Sequence, residues 1–395
     1  MIQVFLRKLR GFLCQVAVRL VTGGRIEPKK VVFNQTDGNG FGCNPKAVAL
    51  EILRRHSDWD LVWLCRNPAA ARTELPPGIR AVPFFSFAAL RELASAKVWF
   101  SNQFFRHHTA HCGLAKRPGQ FYIQTWHGGI GIKTAHSGVR WEAAHPESVG
   151  NDFKRRESAM MDVIVTSSAW TDTAFQDIFY GYGRYLRVGY PRNDLFFDAV
   201  RQQEAATRVR QTFALAPEEK VILYVPTLRA NKRWNGYLND YAAIERAVAA
   251  RFGGTWRMMV RLHPVLLHKK GAASLATGAI DAGRYPDIQE LLAAADILIS
   301  DYSSCMYDFM LQRRPVFAYV PDLHDYEESG DLLYPLETTP FPISRNLAEL
   351  EQTIHNFNDE VYRSGVERFL TDFGCVENGT ASAQVVDVME GMVKS

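Results

Sequence analysis

The feature that most constrains this chain is a repeated alternation of short apolar stretches with stretches of helical periodicity. Apolar runs over residues 30–35, 60–65, 121–125 and 162–166 predict strands, and the patterns over 45–55 and 169–178 predict helices. This alternation is typical of parallel α/β domains. Ligands of such sheets bind beyond the carboxyl ends of the strands, so polar groups that follow strands are the first candidates for a site.

The same alternation begins again in the second half of the chain. A polar helical stretch over 201–215 precedes predicted strands at 220–226, 256–262 and 296–300. A length of 395 residues suits two domains of roughly 150–200 residues each. We therefore predict a Rossmann-like domain over 28–205 and a second Rossmann-like domain over 206–395, preceded by an amphipathic helix over 1–27. A cleft is expected between the domains, and the last helices are candidates to return to the first domain.

The first 25 residues have the pattern of a helix that lies on a membrane surface. Cations such as Arg7, Lys8 and Arg10 have no acidic residue among them, and apolar residues recur at helical spacing: Leu6, Leu9, Leu13, Val16 and Leu20. Such a helix can lie among anionic headgroups. A signal peptide fits less well, because a clean apolar run and an A-x-A cleavage site are missing. An ordinary helix packed on its domain remains an alternative.

Composition excludes several classes of function. The net charge is only +4, and no basic stripe suited to nucleic acid is present. The six cysteines are scattered, without a CxxC pair or zinc-ligand spacing, as in reduced cytosolic proteins. No apolar run reaches the roughly 20 residues of a membrane-spanning helix. We expect neither a metal nor a cofactor, and metal dependence of the activity stays open.

His127 is the first candidate for a chemical role. It follows a predicted strand, stands between Trp126 and the pair Gly128 and Gly129, and precedes Lys133 in the loop 124–133. Glycines let backbone amides approach a charged ligand closely. Histidine is the side chain that most easily provides a general base near neutral pH. A structural or surface histidine is the alternative.

The second half offers two further post-strand groups. Arg261 and His263 are two residues apart on one predicted strand end, so they face the same way and can complement a pyrophosphate. Asp301, Ser303 and Ser304 end another apolar strand where a helix begins. Hydroxyls there can bind a phosphate, although a plain helix cap explains a single serine equally well.

Taken together, these loops resemble one known family. The ordered segments are GQFYIQTWHGGIGIK at 119–133, VTSS at 165–168, GYPRND at 189–194, VPTLR at 225–229, RLHP at 261–264 and DILISDYSSCMYD at 296–308. They resemble the CDP-glycerol glycerophosphotransferases of teichoic acid and capsule synthesis. The resemblance implies a glycosyltransferase-B-type fold, in which 28–205 is the acceptor domain and 206–395 is the nucleotide-donor domain. It also implies transfer of a polyol-phosphate unit from a CDP-activated donor to a hydroxyl of a membrane-anchored polymer or lipid-linked acceptor, with CMP released.

The resemblance also assigns roles to single residues. His127 is the expected base and His263 the group that stabilises the donor pyrophosphate. Donor binding is expected at Thr227, Arg229, Arg261, Asp301, Ser303 and Ser304. An acceptor and phosphate loop is expected at Trp126, Gly128, Gly129, Lys133, Arg192, Asn193 and Asp194. Ser329 stands where the family tends to carry an arginine, which leaves the donor polyol open.

Two alternative functions remain at this stage. One is a nucleotide-sugar glycosyltransferase of the same fold in capsule or lipopolysaccharide synthesis, since fold alone does not select a donor. The other is an inactive scaffold at the membrane. We expect a peripheral protein on the cytoplasmic face of the cell membrane, bound to its anionic surface and not to nucleic acid. The acceptor, the number of units added and the oligomeric state stay open.

Overall fold

The computed structural model describes residues 13, 16–18, 20, 21, 23–128, 130, 131, 139–144, 152–227, 237–262, 277–328 and 332–395. The chain divides into two compact units. The first comprises Met1–His127, Ala135–Asp194 and Val376–Ser395, and the second comprises Gly128–Thr134 and Leu195–Cys375. The end of the chain thus belongs to the first unit.

The described residues of the first unit form a seven-stranded parallel sheet. Its strands, in chain order, are β1 Glu27–Asn34, β2 Asp60–Cys65, β3 Ile79–Pro83, β4 Ala96–Ser101, β5 Phe121–Gln124, β6 Val163–Thr166 and β7 Arg184–Arg187. They lie in the order β3-β2-β1-β4-β5-β6-β7. The strand order reverses between β1 and β4, which is where open parallel sheets bind ligands.

Both faces of this sheet are covered, which explains why its strands are continuously apolar. Successive residues of β1 enter different cores. Val32 joins a cluster with Trp99 and Tyr122 on one face. Val31 and Phe33 join a second cluster on the other face. All five side chains are fully buried.

Helices of the first unit supply these covers. They are α1 Cys43–Arg55, α2 Pro68–Glu74, α3 Phe87–Ser95, α4 Val139–Ala144, α5 Asp152–Ser158 and α6 Ala169–Ile178. A further helix, Ala381–Lys394, comes from the end of the chain and packs against α1. Its Val385, Val386 and Met389 are buried in the second cluster together with Phe33.

The second unit carries its own parallel sheet, with six strands among the described residues. They are β8 Glu219–Val225, β9 Thr255–Val260, β10 Ile280–Asp281, β11 Ile297–Ser300, β12 Val316–Tyr319 and β13 Ile343–Ser344, in the order β10-β9-β8-β11-β12-β13. The order reverses between β8 and β11. The helices are α7 Ala199–Thr212, α8 Tyr241–Phe252, α9 Ile288–Ala294, α10 Cys305–Met310, α11 Leu323–Glu328, α12 Leu347–His355 and α13 Asp359–Asp372; the C-terminal helix Ala381–Lys394 is α14.

The predicted α/β class with two parallel sheets is confirmed. The last fifty residues are mainly helical, and short connections separate α12, α13 and α14. Asn358 caps the start of α13, because its side chain accepts a hydrogen bond from the amide of Val361.

Candidate active site

The loop after β5 has an unusual backbone conformation at the residue that precedes His127. Trp126, which precedes it, has φ of 56°, in the left-handed region that side chains other than glycine rarely adopt. The amide of Trp126 donates to Oε1 of Gln124 at 2.8 Å, and its carbonyl accepts from Nδ2 of Asn44 at 3.2 Å. Side chains on both sides of this peptide therefore hold the turn that presents His127.

The imidazole of His127 has a defined tautomer. Its Nδ1 lies 2.9 Å from the carbonyl oxygen of Asn102, the residue after β4. A carbonyl oxygen only accepts, so Nδ1 carries the hydrogen and Nε2 is the nitrogen that can accept a proton. The ring lies against the indole of Trp126, with centroids 4.5 Å apart.

The surroundings of His127 favour its neutral form. Desolvation by the surrounding protein is the main cause that lowers its pKa, and the charge of Arg192 lowers it further. The hydrogen bond to Asn102 acts in the opposite direction. The residue is nevertheless exposed to solvent, so it is accessible. A neutral, accessible imidazole is what a general base requires.

Asn102 ties two post-strand loops together. Its main-chain carbonyl holds His127, and its side-chain Oδ1 accepts from the amide of Thr36 at 3.0 Å. Thr36 follows β1, whereas Asn102 follows β4, so the two loops meet where the strand order reverses. The sequence prediction missed Asn102, although the rule of polar residues after strands would have selected it.

Arg192 supports the His127 loop from the segment after β7. Its Nη1 donates to the carbonyl oxygen of His127 at 2.8 Å and contacts Sγ of Cys43 at 3.3 Å. Its amide donates to Oδ1 of Asn44 at 3.1 Å. The side chain is only 6% exposed, and these contacts indicate a supporting role. Its assignment to the acceptor and phosphate loop stays a prediction.

Asn193 and Asp194 make contacts of another kind. The carboxylate of Asp194 accepts from the amides of Ala381 and Ser382 at 3.0 and 2.7 Å, at the start of α14. Asn193 Nδ2 donates to Oε1 of Glu377 at 3.0 Å. Both residues are buried. They fasten the end of the chain to the first unit, and contact with an acceptor stays a prediction for both.

In the second unit, Asp301 joins the two strand ends where the order reverses. Its carboxylate accepts from the amide of Thr227, after β8, at 3.0 and 2.9 Å, and from its neighbour Tyr302 at 2.7 Å. Tyr302 stacks on Tyr326 with centroids 3.7 Å apart. The structure thus brings Thr227 and Asp301 together, and their contact with a donor stays a prediction.

The two serines before α10 differ in their contacts. Ser303 Oγ accepts from the amide of Cys305 at 3.4 Å, which is the helix-capping alternative. Ser304 makes no capping hydrogen bond with its side chain. A Cβ atom placed on Gly131 would lie 3.1 Å from Cβ of Ser304, and one on Gly128 would lie at 3.6 Å. The glycines of this loop therefore allow its close approach to Ser304.

Arg261 is engaged inside the second unit. Its Nη1 donates to the carbonyl oxygens of Tyr285 and Ala282 at 2.5 and 3.3 Å, and burial lowers its pKa. These bonds secure the loop after β10. Four other predicted site residues lie outside the described residues: Gly129, Lys133, Arg229 and His263.

Comparison with known proteins decides the family. A family model described as CDP-glycerol:poly(glycerophosphate) glycerophosphotransferase matches residues 16–391. The chain belongs to this family.

Relatives in this glycerophosphotransferase family agree with the match. The teichoic acid poly(glycerol phosphate) polymerase of Staphylococcus epidermidis is 26% identical over 93% of this chain and 51% of its own length. The polymerase of the same name from Bacillus spizizenii is 26% identical over 92% of each chain. This family member therefore spans about half of the first relative and most of the second.

A solved structure shows the same fold. The wall teichoic acid polymerase TagF has a TM-score of 0.81 and 24% identity, covering 100% of this chain and 98% of that chain. A TagF variant soaked with CDPG gives the same score.

Two negative findings complete the description of this family member. Among the described residues, no group of three or more His, Cys, Asp or Glu side chains could hold a metal ion. Within the same ranges, no helix has the length and apolar character needed to cross a bilayer.

Proposed function

We propose that this protein transfers a polyol-phosphate unit, similar to glycerol phosphate, from a CDP-activated donor to a hydroxyl of a teichoic-acid-like or capsular polymer. Family membership and the relatives' names support the reaction type. The observation that carries the proposal is the imidazole of His127, which is accessible and directed by Asn102 so that Nε2 can accept a proton.

The reaction is a single displacement at phosphorus. The acceptor oxygen forms a bond to the phosphorus that carries the polyol, and the bond from that phosphorus to the bridging oxygen breaks. The acceptor proton passes to Nε2 of His127, and CMP leaves with the bridging oxygen. Phosphoryl transfer depends chiefly on positioning and on charge stabilisation, so the braced loop around His127 suits the task.

The donor is proposed to bind the second unit. Thr227, Asp301, Ser303 and Ser304 lie after β8 and β11, at the reversal of the second sheet, which supports this placement. Arg229, Arg261 and His263 are proposed to complete the donor site. The reversed strand order in each of the two parallel sheets supports a glycosyltransferase-B-type fold, with the acceptor bound by the first unit.

The test measures CMP release. Purified protein is incubated with CDP-glycerol or CDP-ribitol and a teichoic-acid acceptor, and CMP formation is followed. His127→Ala is expected to lower the rate by at least about 100-fold, whereas His355→Ala, at an exposed position of α12, keeps the wild-type rate. Turnover of UDP- or CMP-sugars instead would favour a glycosyltransferase, and no turnover with any donor would favour a scaffold.

Attachment to the cytoplasmic face of the membrane is a second part of the proposal. The described residues of the N-terminal segment are helical, and Leu13, Val16 and Leu20 are 57%, 38% and 74% exposed. Ala17 and Val18 pack instead against the core of the first unit. An apolar face therefore points outward from a helix whose other side is anchored.

Vesicle binding tests this attachment. The protein is expected to sediment with vesicles that contain phosphatidylglycerol, and Leu13→Glu with Leu20→Glu is expected to release it. Val361→Glu, at another exposed apolar position, serves as the control. Equal sedimentation of all three proteins would contradict the assignment.

A further inference from the structure

A chain of buried hydrogen bonds runs beneath the loop of His127. Glu157, Tyr122 and Gln124 are fully buried. The hydroxyl of Tyr122 donates to Oε1 of Glu157 at 2.9 Å, and Nε2 of Gln124 donates to that hydroxyl at 3.1 Å. Gln124 Oε1 then accepts from the amide of Trp126 at 2.8 Å. The chain thus ends at the peptide immediately before His127.

Glu157 also holds the segment that fixes the imidazole. Its carboxylate accepts from the amide of Phe105 at 2.5 Å and from the hydroxyl of Thr109 at 2.5 Å. Both residues lie shortly after Asn102, whose carbonyl binds Nδ1 of His127. Nε2 of Gln124 further donates to the carbonyl of Gln103 at 3.3 Å. The carboxyl group of Glu157 is therefore connected to both the Trp126 peptide and the segment after Asn102, the two parts of the chain that position His127.

Such a network has no evident use in core packing. Apolar side chains of similar size would fill the same space without the cost of burying polar groups. A fully connected polar network, in contrast, specifies one arrangement of the groups that it joins. Here the arrangement includes Trp126 in a left-handed conformation, which is unfavourable for a residue with a side chain.

We propose that Glu157 is a positioning residue for the transfer reaction, acting through Tyr122 and Gln124 to fix the Trp126 peptide and the direction of the His127 imidazole. The proposal rests on the proposed function for its kinetic consequence. Its structural consequence, the fixed environment of His127, is independent of the reaction.

Two substitutions interrupt the network at different points. Tyr122→Phe removes one hydroxyl, which is both the donor to Glu157 and the acceptor of Gln124. Glu157→Leu removes all three acceptor contacts. Either change is expected to lower kcat by about 10-fold or more, because small displacements of a catalytic group are costly. KM for the donor is expected to change by less than about twofold, because binding is not altered.

A conservative variant separates positioning from charge. In Glu157→Gln, Oε1 still accepts from Phe105 and Tyr122, and the amide can donate to the hydroxyl of Thr109. This variant is expected to keep most of the wild-type kcat. Tyr185→Phe is the matched control, since Tyr185 packs against the same core and its hydroxyl has no hydrogen-bond partner in the described part of the chain.

A nuclear magnetic resonance titration of His127 provides a readout that needs no turnover. The resonance is assigned by its loss in His127→Asn. Tyr122→Phe is expected to raise the pKa of His127 towards that of ordinary histidine, as the loosened loop admits water, while Tyr185→Phe leaves it unchanged. If the wild type releases no CMP but this shift occurs, the proposed function fails, whereas the inference that the network fixes the environment of His127 stands.

Three results would overturn the positioning role. In the first, Tyr122→Phe keeps both the wild-type kcat and the His127 titration. In the second, Tyr185→Phe loses as much activity as Tyr122→Phe. In the third, Glu157→Gln is as impaired as Glu157→Leu; this comparison also decides the matter if Tyr122→Phe does not fold.

Discussion

The main-chain carbonyl of Asn102 accepts a hydrogen bond from Nδ1 of His127 over 2.9 Å, although the two residues belong to loops after different strands. The contact places the ring hydrogen on Nδ1 and leaves proton uptake to Nε2. Because a main-chain atom makes this contact, substitution of the Asn102 side chain does not remove it directly. The geometry of the candidate base thus depends on the backbone of the first sheet.

The rate of transfer should depend on pH through His127. Its pKa is lowered from 6.5, first by desolvation and then by Arg192, and a base acts in its deprotonated form. We therefore expect kcat/KM to rise with pH through a pKa below 6.5 and to be near its maximum at neutral pH. A pH–rate profile of CMP release checks this. An inflection above the ordinary histidine value would contradict it.

Arg192 should matter for both activity and stability. Replacing it with leucine removes the donor to the carbonyl of His127 and the contact to Cys43. We expect kcat to fall by about 10-fold through displacement of the loop, and the free energy of unfolding to fall by about 1–3 kcal/mol.

Arg201→Ala is the control for this substitution. Arg201 is exposed on α7, and its replacement is expected to alter stability by less than about 0.5 kcal/mol. Urea unfolding and CMP release measure both quantities. Equal behaviour of the two variants would show that the contacts of Arg192 are dispensable.

Glu157 should give the protein an identifiable dependence of stability on pH. Burial raises the pKa of its carboxyl from 4.5 to about 7. Between these values the folded state keeps a proton that the unfolded state has released, so stability falls as pH rises through this window. The full effect is on the order of 3 kcal/mol.

Glu157→Gln lacks this titration. The variant is therefore expected to gain stability relative to the wild type between about pH 5 and about pH 8. Urea unfolding of both proteins at the two pH values measures the difference. A constant difference between them would contradict the raised pKa.

The glycine at position 131 should resist substitution. In Gly131→Ala the new Cβ would lie 3.1 Å from Cβ of Ser304, closer than ordinary contacts, and the resulting strain is expected to cost about 1–3 kcal/mol. Gly391→Ala is the control, since that position near the end of α14 has no heavy atom within 4 Å of the added Cβ. Thermal unfolding compares the two. Equal melting temperatures would show that the loop around residue 131 can shift away from Ser304 without loss of stability.

Local sequence patterns predicted the parts of the fold that depend on them. Strand Asp60–Cys65 and helix Ala169–Ile178 agree with their predicted bounds, because a continuous apolar run and a helical period define each. Strand Ile79–Pro83 was missed, since exposed Arg80 and the following Pro83 break its apolar run. The two-residue strands β10 and β13 are too short to have a pattern.

Of the candidate site, the sequence identified His127 but not the contacts that hold it. His127 follows a strand and stands among glycines, which a sequence shows directly. The contacts that support His127 are not visible in the sequence. The position of Asn102 after a strand and the resemblance at Arg192 mark these residues as candidates, but neither shows that they and Glu157 hold the His127 loop from distant segments of the chain. Asp194 is a further example: its carboxylate holds the amides of Ala381 and Ser382, nearly two hundred residues later in the chain, and its contact with an acceptor stays a prediction.

The return of residues 376–395 to the first unit sets an order for biosynthesis. Val385, Val386 and Met389 share a core with Phe33 and Trp63, near the other end of the chain. The strands of the first sheet are synthesised early, but the helix that completes the cover of one face is synthesised last. That face therefore stays incompletely covered until the whole second unit has been translated. During that interval the nascent chain exposes an apolar surface to chaperones, and a ribosome that stalls in the second unit leaves both halves unfinished.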